Sequence, residues 1–261
     1  MKIAVAQIAC VLGDVPANLA KMEDFSRRAK NAGAELIIFP EASDTGYSMP
    51  VIRQHAMPWT EGAVPALQAM AKELGLTIVS GVSERTGDRI YNSQVFIDPR
   101  GEILAAYRKT HLFVCAPNDE STCYTPGEKF VSVAASGFTF GLGICYDIRF
   151  PEVCRTLALE HDANVFLISS AWPTPRAQHL RALAVARAIE NQSYLVLANR
   201  AGVDASVTCC GLSAIIAPSG EMIADASADQ EELIMGDISG DEIAAVRSKV
   251  PVFRDRRTDL Y

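Results

Sequence analysis

The stretch GLGICYDIRFPE, residues 141–152, decides how the chain is read. Phe138, Phe140, Leu142 and Ile144 recur at every second position, the period of a strand, and the run ends at Cys145. Pro151 and Glu152 then open an apolar-periodic segment. Proline fits the first helical turn, and an acidic side chain is favoured at the positive end of a helix dipole. A cysteine at the C-terminal end of a buried strand, where the chain turns into a helix, stands where an α/β sheet exposes a nucleophile. The backbone N–H groups of Tyr146 and Asp147 are expected to point into the same space. Most free cysteines are small buried hydrophobes, so Cys145 alone does not separate chemistry from packing.

Upstream, residues 2–10 read as a first strand and 17–32 as a helix with Leu19, Met22, Phe25 and Ala29 on one face and Gly33 at its stop. ELIIFPE (35–41) is a short buried strand ending at Pro40 and Glu41. Residues 42–60 read as an irregular loop, 64–74 as a helix and 77–82 as a strand. Strands over 90–97 and 102–107 are joined by the turn DPRG (98–101), and the second runs into YRKTHLF with Lys109 near its end. A second long loop, 110–128, carries Glu120 ahead of the turn signal TPGE. Beyond the Cys145 segment come NVFLISS (164–170), a helix over 176–191, the strand SYLVLANR and a β-meander from Ala214. A short helix over 241–246 and the tail VPVFRDRRTDLY follow. No linker, low-complexity segment or clear internal repeat interrupts the 261 residues, so one domain, 1–261, is expected. The strands are too many for one doubly wound sheet and several alternate, which predicts two packed sheets with helices outside.

Bulk composition removes several function classes. A net charge of −7, from 24 basic and 31 acidic residues with no basic stripe, argues against nucleic-acid and anionic-membrane partners. No apolar run approaches the roughly 20 residues of a membrane helix, and the start MKIAVAQIAC reads as a strand rather than a leader. Seven scattered cysteines, an odd number, suggest a reducing compartment, the cytoplasm, rather than a disulfide framework. Cys209 and Cys210 are adjacent, with no other Cys or His at ligand spacing, so no metal site is expected.

Three chemically competent side chains stand at the ends of apolar strands: Glu41 after LIIFP, Lys109 after LAAYR and Cys145 after GLGI. Singly, each has a plain explanation as a capping carboxylate, a solvated charge or a packed thiol. Together they meet one requirement. A thiol is a good nucleophile only as thiolate and needs a base and a cationic neighbour. A carboxylate at an apolar strand end can serve as that base, and a lysine can hold a developing oxyanion.

These segments resemble the nitrilase superfamily of carbon–nitrogen hydrolases over essentially the whole chain. LIIFPEAS, YRKTHLF and GICYDIRFPE match the Glu, Lys and Cys segments of that family in order. ANL near residue 18, RAIENQSYLVLANRAG (187–202) and PSGE (218–221) add agreement. The resemblance implies a four-layer α-β-β-α sandwich and the triad Glu41, Lys109 and Cys145. It places a second glutamate at Glu120, with Asp119 the neighbour to which the match could slip. It further implies that Glu41 takes the Cys145 proton, that the thiolate attacks an amide carbonyl, and that Lys109 and the Tyr146 N–H hold the oxyanion. No metal or organic cofactor is then required. Ala171 and Trp172, together with Tyr47 and Trp59 from the 42–60 loop, are expected to line the acyl pocket. Family members pair through the helix after the cysteine and the one matching 176–190, which implies a homodimer or higher assembly.

The elbow and tail look like the amidase and ω-amidase side of the family. Tyr146–Asp147 stands where true nitrilases carry Trp–Glu, which favours amides over nitriles. An N-carbamoyl amino acid hydrolase or an ω-amidase needs a cation for the substrate carboxylate, which Arg149 or Arg176 could supply. The 42–60 loop does not look like that of the ω-amidases, so the reading leans to short aliphatic amides. His55, His111, His161 and His179 give no Cys–His pair, and Cys154 reads as a packing residue. Two other classes stay open: a binding or scaffold module on a hydrolase fold, and a thiol-redox protein using Cys145 with a resolving cysteine.

Overall fold

From Ile3 onward every residue of the first strand, β1 (Lys2–Gln7), is buried, as a strand covered on both faces must be. The structure, a computed structural model, describes residues 1–116, 118–205 and 207–260. After β1 come α1 (Val15–Asn31), β2 (Leu36–Ile38), α2 (Met49–His55), α3 (Ala63–Leu74), β3 (Thr77–Thr86), β4 (Arg89–Ile97) and β5 (Ile103–Arg108). The second half holds β6 (Ser132–Ala135), β7 (Phe138–Ile144), α4 (Pro151–Glu160), β8 (Val165–Ser170), α5 (Ala177–Asn191) and β9 (Tyr194–Asn199). It closes with β10 (Ala214–Ile216), β11 (Met222–Asp225), β12 (Glu232–Asp237) and α6 (Gly240–Lys249).

Two six-stranded sheets result, in the orders β12-β1-β2-β3-β4-β5 and β11-β10-β9-β8-β7-β6. They share one pattern. In the first, β1, β2 and β3 are parallel, flanked by antiparallel β12 on one side and β4 and β5 on the other. In the second, β7, β8 and β9 are parallel, flanked by antiparallel β6 and by β10 and β11. The chain thus builds the same topology twice without a recognisable sequence repeat.

The sheets pack face to face between two helical layers. Ala4, Ala6, Ile37 and Ile78 meet Met22 and Phe25 of α1 and Leu67 and Met70 of α3. The alternate residues Ile3, Val5, Ile38 and Phe96 turn the other way, toward Phe140 and Leu142, with the Phe96 and Phe140 rings 5.4 Å apart. Helices α4 and α5 cover the outer face of the second sheet. A Cβ on Gly141 would lie 3.1 Å from Leu157 of α4, so the missing side chain lets the helix sit close. This is the four-layer α-β-β-α sandwich.

The local departures from expectation have simple causes. β1 ends at Gln7, and β3 runs on to Thr86 because its pairing with β4 continues to Thr86 and Arg89. The loop over 42–60 contains α2, with Pro50 in its first turn and only Met49 and Ile52 buried, too little apolar content to show a period. The loop over 110–128 holds a small hairpin, Val114–Cys115 against Asn118–Asp119, then a 3₁₀ turn, Glu120–Thr122. A second 3₁₀ turn, Cys145–Arg149, separates β7 from α4. In the tail, Tyr261 lies outside the described residues.

Candidate active site

Pro40 and Glu41 leave the first sheet between β1 and β3 through a turn braced by β3. Phe39 N–H donates to the Val79 carbonyl at 2.8 Å and Gly81 N–H to the Pro40 carbonyl at 3.1 Å. A Cβ on Gly81 would stand 2.6 Å from the Glu41 Cα, so this approach needs glycine. Glu41 is fully buried. Its Oε1 accepts from Lys109 Nζ at 2.8 Å and from Asn92 Nδ2 at 2.7 Å, and its Oε2 from the Ala171 N–H at 2.9 Å.

Lys109 follows β5, its N–H bonded to the Asn92 carbonyl of β4 at 2.8 Å. Its ammonium is shared between Glu41 and Glu120, the latter at 2.7 Å. Glu120 is fixed in turn: Oε1 also accepts from the Tyr47 hydroxyl at 2.6 Å, and Oε2 from the Phe113 N–H at 2.7 Å. Asn92 Nδ2 lies 3.3 Å from the same Glu120 Oε1 and so touches both carboxylates. Cys145 opens the 3₁₀ turn with φ +46, a left-handed conformation that a non-glycine residue holds only at some cost in backbone strain. Its thiol is nearly enclosed.

Electrostatics in this buried cluster are set by burial against charge. Burial and the Glu41 carboxylate push the Cys145 thiol well above the usual range, with Lys109 pulling the other way. Burial alone would lower Lys109, but Glu120, Glu41 and Cys145 outweigh it and hold its ammonium above the usual lysine range. Burial also raises Glu120, against the pull of Lys109. Burial and Glu41 thus favour the proton on Cys145, while the surrounding acidic groups favour the charged form of Lys109.

Cys145 opens onto a cavity of about 30 Å³ whose walls include Tyr47, Tyr146, Arg149, Ala171 and Trp172. With Arg176, six of the seven residues expected around the substrate are thus brought together. Trp59 is the exception. Beyond α2, Met57 pairs with Glu84 at the far end of β3, and Trp59 lines another groove with Tyr91 and Arg108. Phe113, Asn118, Pro173 and Arg176 complete the walls, and the first three were not anticipated. Asn92 was also missed: within IYNSQVF it looks like any polar position of a strand, and only its place between the sheets gives it two carboxylates. Among the described residues no group of three or more His, Cys, Asp or Glu could hold a metal ion, and no helix is long and apolar enough to cross a membrane.

The profile of the family described as carbon-nitrogen hydrolase matches residues 2–248. The chain belongs to the carbon–nitrogen hydrolase family. Among its relatives in this family is a 2-oxoglutaramate amidase of Bacillus subtilis (strain 168), 34% identical over 97% of this chain and 98% of the relative. Another is an omega-amidase of Homo sapiens, 31% identical over 98% of this chain and 94% of the relative. The crystal structure of a Saccharomyces cerevisiae member of branch 10 of the nitrilase superfamily superposes with a TM-score of 0.90. It is 30% identical and covers 98% of this chain and 96% of that one. The protein is therefore an amidase-type hydrolase of carbon–nitrogen bonds other than peptide bonds, on the nitrilase-superfamily fold.

Proposed function

We propose that this hydrolase is an ω-amidase: it releases ammonia from the terminal amide of a small molecule, such as 2-oxoglutaramate, whose other end carries a carboxylate. The observation that carries this is the pair of guanidiniums beside Cys145. Arg149 lies 4.5 Å over the Trp172 ring and Arg176 5.1 Å over the Phe113 ring, and among the described residues the cavity they face is lined by no Asp or Glu. Burial pulls Arg149 below the usual arginine range and, despite Tyr146, the like charge of Arg176 adds to it. A substrate carboxylate between them relieves both costs and offers the planar, two-point geometry that guanidinium favours. The names of the two relatives agree.

In this reading Glu41 takes the Cys145 proton as Sγ attacks the amide carbon. Lys109 and the Tyr146 N–H stabilise the oxyanion, while Glu120, held by Tyr47 and Phe113, keeps Lys109 in place. The proton on Glu41 passes to the leaving nitrogen as the C–N bond breaks, and ammonia departs. Glu41 then takes a proton from water as it attacks the thioester; the acid leaves and that proton returns to sulfur.

A second reading, short neutral amides, is favoured by the small volume and by the apolar walls from Tyr47, Ala171 and Trp172. One experiment separates them: ammonia release from 2-oxoglutaramate, propionamide, an N-carbamoyl amino acid and a nitrile, with Cys145→Ala as control. The ω-amidase predicts that 2-oxoglutaramate leads, and that Arg149→Met or Arg176→Met raises its KM by about 30-fold while sparing propionamide. Preference for propionamide, untouched by either arginine, would leave the neutral-amide reading. We further propose a cytoplasmic location, supported by seven unpaired cysteines, and a homodimer through α4 and α5, to be checked by light scattering.

A further inference from the structure

The 3₁₀ turn after Cys145 holds a buried carboxylate that the reaction above does not use. Asp147 is fully enclosed. Its Oδ2 accepts from the Ile144 N–H at 2.9 Å and from the Tyr107 hydroxyl at 2.8 Å. Its Oδ1 accepts from the His111 N–H at 3.2 Å and the Thr110 hydroxyl at 3.4 Å, and lies 3.0 Å from His111 Nδ1. The partners fall into two groups. Ile144 immediately precedes Cys145, whose backbone is held at φ +46. Tyr107, Thr110 and His111 bracket Lys109, and the Thr110 N–H closes that turn onto the Tyr107 hydroxyl at 3.0 Å. The nucleophile belongs to the second sheet and the lysine to the first, and this side chain ties their two turns together.

We propose that Asp147 is a positioning residue: its carboxylate fixes the strained Cys145 turn against the Lys109 turn, so that thiol and ammonium address the same carbonyl. The connection also reaches the cavity wall. His111 stacks on Phe150 with ring centres 3.9 Å apart, Phe150 meets the edge of Tyr146 at 5.2 Å, and Tyr146 meets Phe113 at 5.2 Å. The proposal rests on Glu41, Lys109 and Cys145 being the reacting set.

Charge and position act with opposite sign here, which makes the test sharp. Removing a negative charge near Cys145 favours the thiolate, so a residue acting only through charge would, when neutralised, speed alkylation of Cys145. Loss of positioning slows both alkylation and turnover. The measurements are kcat and KM for ammonia release, the rate of iodoacetamide modification of the Cys145 peptide by mass spectrometry, and Tm. Asp147→Asn should lower kcat about 100-fold with KM within about threefold, the effect of a misplacement near 1 Å, and slow the alkylation. Tyr107→Phe removes the hydroxyl that bonds Asp147 and Thr110 and keeps the carboxylate charge; it should show the same signature at about tenfold, and carries the test if Asp147→Asn does not fold. Normal kcat per folded molecule with a lower Tm, or faster alkylation, would overturn the proposal. Activity surviving in Cys145→Ala would instead sink the reacting set itself.

Discussion

Glu41 Oε1 receives two donors, Lys109 and Asn92, and Oε2 a third, the Ala171 N–H, so this base is oriented before any substrate arrives. Asn92 is the informative member because its amide reaches Glu41 and Glu120 with a single nitrogen. Exchanging it for a carboxylate keeps the shape but turns a donor into an acceptor facing two others. Asn92→Asp should therefore lower kcat by about 100-fold or more, beyond the loss in Asn92→Ala, because it adds like charge to a buried site. Steady-state kinetics on the two variants decide it; equal losses would mean that only the missing bond matters. The raised Cys145 thiol makes a second residue-scale prediction. Alkylation of this cysteine by iodoacetamide should climb with pH without a plateau below pH 9, the ordinary thiol value, because burial and Glu41 hold the proton on sulfur. A plateau near neutrality would point to a preformed thiolate.

At the scale of the element, the site depends on how closely β3 passes the turn after β2. Gly81→Ala places a methyl 2.6 Å from both the Glu41 Cα and the Pro40 carbonyl, backbone atoms that cannot step aside. The turn must move, so activity should fall more than tenfold with a Tm loss of only a few degrees, about 1–3 kcal/mol of overpacking; kinetics alongside thermal melts report the ratio. The same element explains what was legible beforehand. Glu41, Lys109 and Cys145 each end an apolar strand, a boundary that hydrophobic runs mark in any sequence. Glu120 could be placed only through the family resemblance, since a loop carboxylate has no local signature. Trp59 was misplaced because α2 buries just Met49 and Ile52, and so short a helix leaves no period to show that the chain is carried away from the site. Asp147 was read for its backbone N–H and as a marker of the amide branch, not for its side chain, and no sequence pattern tells a buried acceptor of several donors from a solvated aspartate.

For the whole molecule, the alternation of strands and helices repeats after Cys145, but the duplicated six-stranded pattern leaves no repeat of residues because topology constrains burial and strand order, not residue identity. Its consequence is a sandwich that encloses carboxylates, and these set how stability answers to pH. Asp44 is the clearest case. Its oxygens accept from the Thr45 and Ser83 N–H groups, and its carbonyl accepts from Asn18 of α1, tying helix, loop and β3 together. Burial nevertheless pushes its carboxyl up from 3.8 to about 6. A folded-state value above the unfolded one means that the folded protein binds the extra proton, so this contribution is full below about pH 4 and is lost as pH rises to about 6. The shift of about two units corresponds to on the order of 3 kcal/mol. Burial raises Glu120 and Asp204 as well, so they act with the same sign. Asp44→Asn removes this contribution while keeping a carbonyl acceptor for the backbone donors. Melting temperatures of wild type and variant across the acid range should therefore diverge in the variant's favour as pH climbs from about 4 to about 6. A constant gap across that window would show that Asp44 does not titrate there, and that its hydrogen bonds from β3 outweigh its burial.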